Sequence, residues 1–158
     1  MNTETSKTIT HKFSKLDRLD PVTVYLEDFS KGAGQITIVC YGKAWTAYWG
    51  GMGEKTVSEF FCSCDKEYLI GNLSPQLDSE INDIDKIQED ARNKGVECWR
   101  DDPWNDYEFM TDMYGDDMCE WHYLLPKTAN HEYDYLCRII KVVQDELNAI
   151  NKGEPCKN

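Results

Sequence analysis

The stretch between Trp99 and Tyr123 combines the two side-chain types most suited to binding chemistry. Its members are the carboxylates of Asp101, Asp102, Asp106, Glu108, Asp112, Asp116, Asp117 and Glu120, and the aromatic rings of Trp99, Trp104, Tyr107, Phe109, Tyr114, Trp121 and Tyr123. No lysine or arginine follows Arg100 within this stretch. Because carboxylates attract cationic groups and large aromatic side chains anchor interfaces, the pattern predicts a surface that binds a cationic partner.

The negative charge of the chain is concentrated in the same region. The 158 residues include 29 acids and 17 bases, a formal net charge of -12 at pH 7. Between Asp65 and Glu120 there are 17 acids and 5 bases, so this third of the chain accounts for the whole excess. Two interpretations remain open. The acids either form a solvated surface that maintains solubility, or form a face that a basic groove for DNA or RNA would recognise.

The charge balance also argues against several classes of partner. Direct binding of nucleic acid or of anionic lipid requires lysines and arginines, and a chain this acidic is not expected to bind either one. No apolar run approaches the roughly 20 residues of a membrane span, so we expect no membrane association. The first ten residues have no apolar signal stretch, and the cysteine count of seven is odd. We therefore expect reduced thiols and a cytoplasmic location.

Four residues have the side chains of a tetrahedral zinc site. Cys62 and Cys64 form a Cys-x-Cys pair, and Cys119 and His122 form a Cys-x-x-His pair. Zinc is commonly held by four such ligands, but Cys-x-Cys is a poor spacing for a zinc knuckle. Cys64 also falls on an apolar helical stripe, where a free cysteine behaves as a small buried hydrophobe. Buried thiols are the favoured interpretation, and a zinc site is the alternative.

The sequence offers no catalytic signature. The three histidines, His11, His122 and His131, stand in no recognisable nucleophile–base arrangement. The glycines of 50–53 follow a predicted strand, but they lack the lysine and the spacing of a phosphate-binding loop. We therefore expect no catalytic residues and no cofactor. An enzyme is the least favoured class of function.

The first third of the chain has the alternation of an antiparallel sheet. Apolar and polar residues alternate with period two over 22–27, 35–41 and 44–49, and a further strand over 12–16 is weaker. The connections are too short for a parallel crossover, so the strands should form a meander. Trp45 and Trp49 lie two apart on the last strand, and core packing explains them better than stacking on bases.

Helical patterns follow the sheet. Thr56 and Glu59 have capping-box spacing before an apolar stripe that reaches Gly71, and Ser74 with Pro75 is typical of the start of a helix that would extend to Gly95. Residues 96–125 have no clear period. Thr128 or Asn130 is expected to cap a final amphipathic helix over 128–151. The prediction is one α+β domain over 1–158, with a three- to four-stranded antiparallel sheet, about three helices, a flexible segment 1–10 and an acidic insertion 74–125.

The run over 36–73 resembles a family of small accessory, early-region proteins of tailed bacteriophages and prophages of enteric bacteria. The residues that carry the resemblance are Ala44-Trp45-Thr46-Ala47-Tyr48-Trp49-Gly50, Met52-Gly53, Glu59-Phe60-Phe61, Cys64-Asp65 and Tyr68-Leu69. The resemblance covers about the first half of the chain and the final amphipathic helix, and leaves out the acidic middle. It implies a phage protein that acts in the host cytoplasm, and genes of this kind often encode anti-CRISPR or anti-restriction inhibitors.

Residues and resemblance together favour a non-enzymatic inhibitor. Its expected partner is a host protein or ribonucleoprotein with a basic nucleic-acid-binding surface, which the acidic chain would occupy as a nucleic-acid mimic. The expected contact residues are Asp78, Asp83, Asp85, Trp99, Asp101, Asp102, Trp104, Asp106, Tyr107, Asp112, Tyr114, Asp116 and Asp117. The alternative is an accessory module that binds a small ligand or zinc.

Overall fold

The computed structural model describes residues 6–153, which form six strands and six α-helices. The strands are β1 (Thr8–Phe13), β2 (Val22–Ser30), β3 (Ala33–Cys40), β4 (Lys43–Trp49), β5 (Glu80–Asn82) and β6 (Lys127–Ala129). The helices are α1 (Val57–Ser63), α2 (Lys66–Leu73), α3 (Ile84–Lys94), α4 (Tyr107–Tyr114), α5 (Trp121–Leu124) and α6 (His131–Asn151), with a short 3₁₀ helix at Pro103–Asn105. The predicted α+β class with an N-terminal antiparallel sheet is confirmed.

The chain divides into two compact units. The sheet unit, described over 6–77 and 132–153, contains β1 to β4, α1, α2 and nearly all of α6. The acidic unit is Asp78–His131 and contains β5, α3, α4, α5 and β6. It occupies much of the segment that the sequence marks as an acidic insertion. None of the helices in residues 6–153 combines the length and the apolar character that crossing a membrane would demand.

The sheet of the first unit is a meander in the order β1-β2-β3-β4, as predicted. Strand β1 is Thr8–Phe13, so it begins four residues and ends three residues before the predicted strand over 12–16, and all six of its residues pair with β2. Thr8 to Thr10, which belong to the segment 1–10 predicted to be flexible, pair with β2, and residues 1–5 lie outside the described part. Trp49 is buried and Trp45 packs against the same core, which confirms their predicted packing role.

One face of the sheet carries the core of this unit. Its fully or nearly buried side chains include Val22, Val24, Ile36, Ile38, Val57, Phe61, Leu69, Leu136, Ile139, Ile140, Val143 and Leu147. They alternate along the strands and recur at three and four on the helices, so each element contributes one apolar face. The stripe predicted for the final helix is confirmed, and α6 begins directly after Asn130.

Two predicted helices have different limits in the structure. The helix expected over 57–71 is divided into α1 and α2, because the side chain of Asp65 accepts the Tyr68 N–H at 2.8 Å and starts a second helix there. The helix expected from Ser74 and Pro75 begins instead at Ile84, where the Asp83 side chain accepts the Lys86 N–H at 3.0 Å. Ser74 follows the end of α2 and donates its backbone N–H to the Ile70 carbonyl. The Thr56–Glu59 capping box forms as predicted.

The glycine-rich turn over 50–53 packs closely against the β2–β3 turn. The Met52 N–H donates to the Gly32 carbonyl oxygen at 2.8 Å. A Cβ on Gly32 would lie 2.3 Å from the Gly53 carbonyl oxygen, and Gly32 has a φ of 71°. Only glycine fits this position without a shift of the backbone. The segment therefore turns the chain and closes the loop at the end of the sheet.

The acidic unit has a small core of its own, and the two ends of its chain lie next to each other. The buried side chains of this core are Ile87, Ala91, Phe109, Met110, Met113, Trp121 and Leu125. The two ends of the unit meet, since β5 pairs with β6 and the Asn130 N–H donates to the Ser79 carbonyl oxygen at 2.9 Å. Residues 96–125, which have no clear period in the sequence, contain two short helices, α4 and α5. Each of these helices has too few apolar residues to produce a recognisable period.

Because the ends of the acidic unit meet, we predict that the sheet unit folds without it. In the variant that we propose, two glycines join Ser79 to Asn130 and replace residues 80–129. This variant should keep a cooperative thermal transition, followed by circular dichroism, since the core of the sheet unit lies outside the deleted segment. A broad, non-cooperative transition would contradict the division into two units.

A partly buried contact in the sheet unit predicts a loss of stability at alkaline pH. The Tyr135 hydroxyl lies 3.2 Å from the Cys40 sulfur, and this hydrogen bond, together with burial, raises the pKa of Tyr135 to about 12 from a usual value of 10.0. Since the pKa is higher in the folded state, its contribution is complete below pH 10 and is lost as the pH rises toward 12. The free energy of unfolding of Tyr135→Phe should fall less steeply over that window than that of the wild type, measured by urea unfolding.

Candidate functional site in the acidic unit

The acidic unit holds most of the net charge of the chain. Asp78–His131 includes 15 acids and 5 bases, a net charge of -10 out of -12. Among residues 6–153, the carboxylates of this unit that lie within 4.0 Å of a lysine or arginine nitrogen are Glu89, Asp90 and Asp102. The other twelve have no ion pair within the described residues. The negative potential of the unit is therefore largely uncompensated.

The few cations of the unit are used for local structure. Lys86 reaches Glu89 at 2.9 Å and Asp90 at 3.1 Å, and these hydrogen bonds raise the pKa of Lys86. Lys94 donates to the Met113 carbonyl oxygen at 2.5 Å, and Lys127 donates to the Asn82 side-chain oxygen at 2.6 Å. Two of the five cations, Lys94 and Lys127, thus bind uncharged acceptors, so fewer cations of the unit form ion pairs with its carboxylates.

A cavity of about 380 Å³ brings several of the acids together with two aromatic rings. Its lining residues are Gly95, Val96, Glu97, Trp99, Asp106, Glu108, Phe109 and Asp112. Gly95 has a φ of 72° and ends α3, which sends the following residues across the unit. On α4, Glu108 and Asp112 lie four residues apart and therefore share a face, while Phe109, Met110 and Met113 are buried. The segment after α3 forms one wall of the cavity, and α4 forms the other.

Trp99 is the most exposed large side chain of this cavity. Its side chain is 85% exposed, and its indole N–H donates to the Glu97 carboxylate at 3.2 Å. It also lines a second cavity of about 420 Å³, which shares Gly95, Val96 and Glu97 with the first. The indole therefore lies at the mouth of two adjoining depressions, held next to a carboxylate. An exposed aromatic face beside carboxylates is a suitable environment for a cationic group.

The structure places the predicted contact residues in three different situations. Trp99, Asp106 and Asp112 line the same acidic cavity. Asp83 and Asp85 line a separate cavity of about 650 Å³ together with Lys86, Arg92 and His131. Asp78, Asp101, Tyr107, Asp116 and Asp117 are exposed and line none of these three cavities. The predicted contact residues therefore do not form a single site, although Trp99, Asp106 and Asp112 lie together at the acidic cavity.

Several of the predicted contact residues have a role in the fold. Asp83 caps α3, and the Asp106 carboxylate accepts the Phe109 N–H at 3.2 Å and caps α4. Asp102 accepts hydrogen bonds from Arg100 and Asn105, each at 3.0 Å, which lower the pKa of its carboxyl. Trp104 and Tyr114 pack against the core of the unit. Asp117 accepts the Cys119 N–H at 3.0 Å. Substitution of these residues would therefore perturb the fold.

Two residues of the acidic cavity, Glu97 and Glu108, were not among the predicted contact residues. Glu108 could have been found from its four-residue spacing to Asp112, which places both carboxylates on one face of a helix. Glu97 carries no local signal, because its position at the cavity depends on how the segment after Gly95 packs against α4.

The four candidate zinc ligands lie on different elements. Cys62 is half-buried on α1, its thiol contacts the Gln144 carbonyl oxygen at 3.7 Å, and burial raises its pKa to about 11. Burial and the neighbouring Asp65 also raise the pKa of Cys64. Cys119 is exposed, and the His122 ring stacks on Tyr123 at 4.1 Å. In the described part of the chain, no group of three or more His, Cys, Asp or Glu residues is arranged to hold a metal ion, and the six cysteines there are free thiols.

Comparisons with known proteins connect the chain to phages. No curated protein and no solved structure matched it. A family model described as a phage family matches residues 1–149, a range that includes the whole acidic unit as well as the sheet. This match to a phage family covers nearly the full length of the chain, whereas the residues that resemble phage accessory proteins lie mainly in its first half. The chain belongs to the phage family Phage_phiTE_072.

Proposed function

We propose that this phage protein is a non-enzymatic inhibitor of a nucleic-acid-handling defence complex of the bacterial host, such as a CRISPR or restriction complex. The observation that carries the proposal is the concentration of unpaired carboxylates in the acidic unit, with a net charge of -10. In this proposal the unit binds lysines and arginines that the host complex uses for the phosphates of DNA or RNA. Membership of a phage family supports a bacterial host as the setting.

The electrostatics of the unit favour such a partner. A surface with twelve carboxylates that have no lysine or arginine partner among residues 6–153 attracts a basic groove over a Debye length of about 8 Å at physiological salt. Complementary charge mainly accelerates association and selects the partner, whereas it adds less to affinity. The fast encounter suits an inhibitor that competes with nucleic acid for the same groove. The complex should accordingly weaken as salt is raised.

The acidic cavity supplies the specific part of the contact. A lysine or arginine side chain that entered it would meet the carboxylates of Glu97, Glu108 and Asp112. The same cation would lie against the exposed indole face of Trp99. Charge-assisted hydrogen bonds to carboxylates and a cation–π contact to indole are both stronger once the site is desolvated. The cavity would therefore slow dissociation after the charged surfaces have met.

The first test uses the whole chain as bait. The immobilised protein is exposed to lysate of the bacterial host, and the retained protein is identified, purified and titrated against the chain. Release of that partner by added DNA or RNA, and by raised salt, is the expected result. A partner that nucleic acid does not displace would contradict the mimicry.

A charge reversal confined to exposed carboxylates should weaken this complex. Glu108, Asp112 and Asp116 form no side-chain hydrogen bond or ion pair within the described residues, so Glu108→Lys, Asp112→Lys and Asp116→Lys together should leave the fold intact. We expect the Kd to rise about 100-fold or more, because three attractive interactions become repulsive. Isothermal titration against the captured partner measures the change.

The matched control moves the same charge change to the sheet unit. Asp17→Lys, Asp134→Lys and Glu146→Lys alter the net charge equally, at side chains that form no hydrogen bond or ion pair within the described residues. If the position of the reversed charges determines the affinity for the partner, the control variant should keep most of that affinity. Equal weakening by the two triple variants would mean that net charge alone acts, and the proposed site would be wrong.

Truncation of the exposed indole tests the cavity separately. Trp99→Ala should raise the Kd about 30-fold, the equivalent of about 2 kcal/mol for an interface anchor. The free energy of unfolding should change by no more than about 0.5 kcal/mol, since the side chain is 85% exposed. Urea unfolding and the same titration give the two values. An unchanged Kd would remove the cavity from the interface.

A further inference from the structure

The last strand of the sheet, β4, has a free edge. Within the described residues β3 is the one strand that pairs with β4, α2 also lies close to β4, and the side chains of Ala44, Thr46 and Tyr48 are exposed. The strand is seven residues long and begins with Lys43, its one charged residue. Natural edge strands are usually protected by central lysines, prolines or bulges. β4 has no proline or central charge, and the irregularity in the register lies between Asp28 and Ser30 on β2.

The hairpin geometry identifies which backbone groups at this edge are free. Tyr41 and Gly42 form a two-residue turn with φ values of 47° and 75°, the signs of a type I′ turn. In such a hairpin the flanking residues, Cys40 and Lys43, exchange both backbone hydrogen bonds, and every second pair along the ladder does the same. The intervening residues of β4 therefore point their N–H and C=O groups away from β3. These residues are Ala44, Thr46 and Tyr48.

The contact between two threonines agrees with this assignment. Thr46 pairs with Thr37 of β3, and their hydroxyl oxygens are 3.0 Å apart. Side chains approach closely in the pairs that do not exchange backbone hydrogen bonds. The N–H and C=O of Thr46 thus face outward, at the centre of the strand.

The sheet face next to this edge is nearly uncharged. Its residues, in rows across the four strands, are Thr8, Glu27, Gln35 and Tyr48, then Thr10, Tyr25, Thr37 and Thr46, then Lys12, Thr23, Val39 and Ala44. The charged members are Glu27 and Lys12, which have opposite signs. A surface of threonine, tyrosine and small apolar residues is depleted in charge as interfaces are, and it would not repel a second copy of itself.

We infer that β4 pairs antiparallel with β4 of a second copy of this chain, about a two-fold axis at Thr46. In that register Thr46 faces Thr46 and Ala44 faces Tyr48, so the free groups of both edges form six backbone hydrogen bonds. Trp45 faces Ala47, and Lys43 faces Trp49 rather than another lysine. The edge is therefore complementary to itself in hydrogen bonding and in charge. Two four-stranded sheets become one sheet of eight strands.

The experiment compares two lysine variants at opposite ends of one row of the sheet. Thr46→Lys places two like charges across the two-fold axis, whereas Thr10→Lys places the same charge on the same face at the β1 edge. Size-exclusion chromatography with light scattering over a range of concentrations gives the masses. We expect the wild type and Thr10→Lys to reach twice the mass of the chain, and Thr46→Lys to remain monomeric at the same concentrations.

Two further measurements keep the inference testable if a lysine disturbs the sheet. Thr46→Pro removes an outward N–H without loss of a bond to β3, and it should also be monomeric with a preserved circular dichroism spectrum. Hydrogen exchange of the wild-type amides of Ala44, Thr46 and Tyr48 should slow as concentration rises. A wild type that stays monomeric, a dimer that Thr10→Lys also dissociates, or amides whose exchange does not depend on concentration would overturn the inference. If the wild type is monomeric, the free edge of β4 would instead be available to pair with an extended segment of another protein.

Discussion

Carboxylates without a nearby cation must remain in water, and the acidic unit is arranged around this requirement. Its hydrophobic core consists of side chains from α3, α4, α5 and the residue that follows α5, while twelve carboxylates without an ion pair in the described residues lie outside this core. Glu108 and Asp112 lie on one helix face and repel each other, which costs a few tenths of a kcal/mol. Asp83, Asp102 and Asp106 offset part of this repulsion because they accept hydrogen bonds that begin helices or close a turn. The unit can therefore be strongly negative and still fold.

The sheet unit could be predicted well from sequence because its signals are local. Alternation in β2, β3 and β4 and the stripe of α6 arise from neighbours two, three or four residues apart. The helix starts were harder, since Ser74-Pro75 and Asp83 are both good N-terminal signals. The pairing of β5 with β6, about fifty residues apart in sequence, places residues 80–82 in a strand, so the helix begins after Asp83 and not at Ser74-Pro75. Three-residue strands have no period of their own, so no local pattern announces them.

The candidate site could be predicted in composition but only partly in geometry. Trp99, Asp106 and Asp112 were identified because acids and aromatics are interleaved there, with no lysine or arginine after Arg100. Trp104 and Tyr114 were expected at the surface but pack inside, since an aromatic residue in a small unit is as useful for the core as for an interface. Glu97 required knowledge of how a loop packs against a helix. Such long-range packing is the information that spacing within a sequence does not contain.

The meeting of the two ends of the acidic unit affects how proteins of this kind can evolve. Because β5 and β6 bring the entry and exit of Asp78–His131 together, the sheet unit needs only two adjacent attachment points. Recombination at those points would exchange one insert for another of different charge or shape while the chain of the sheet unit stays the same. Diversity in such a lineage would then reside in the insert, while the scaffold varies slowly.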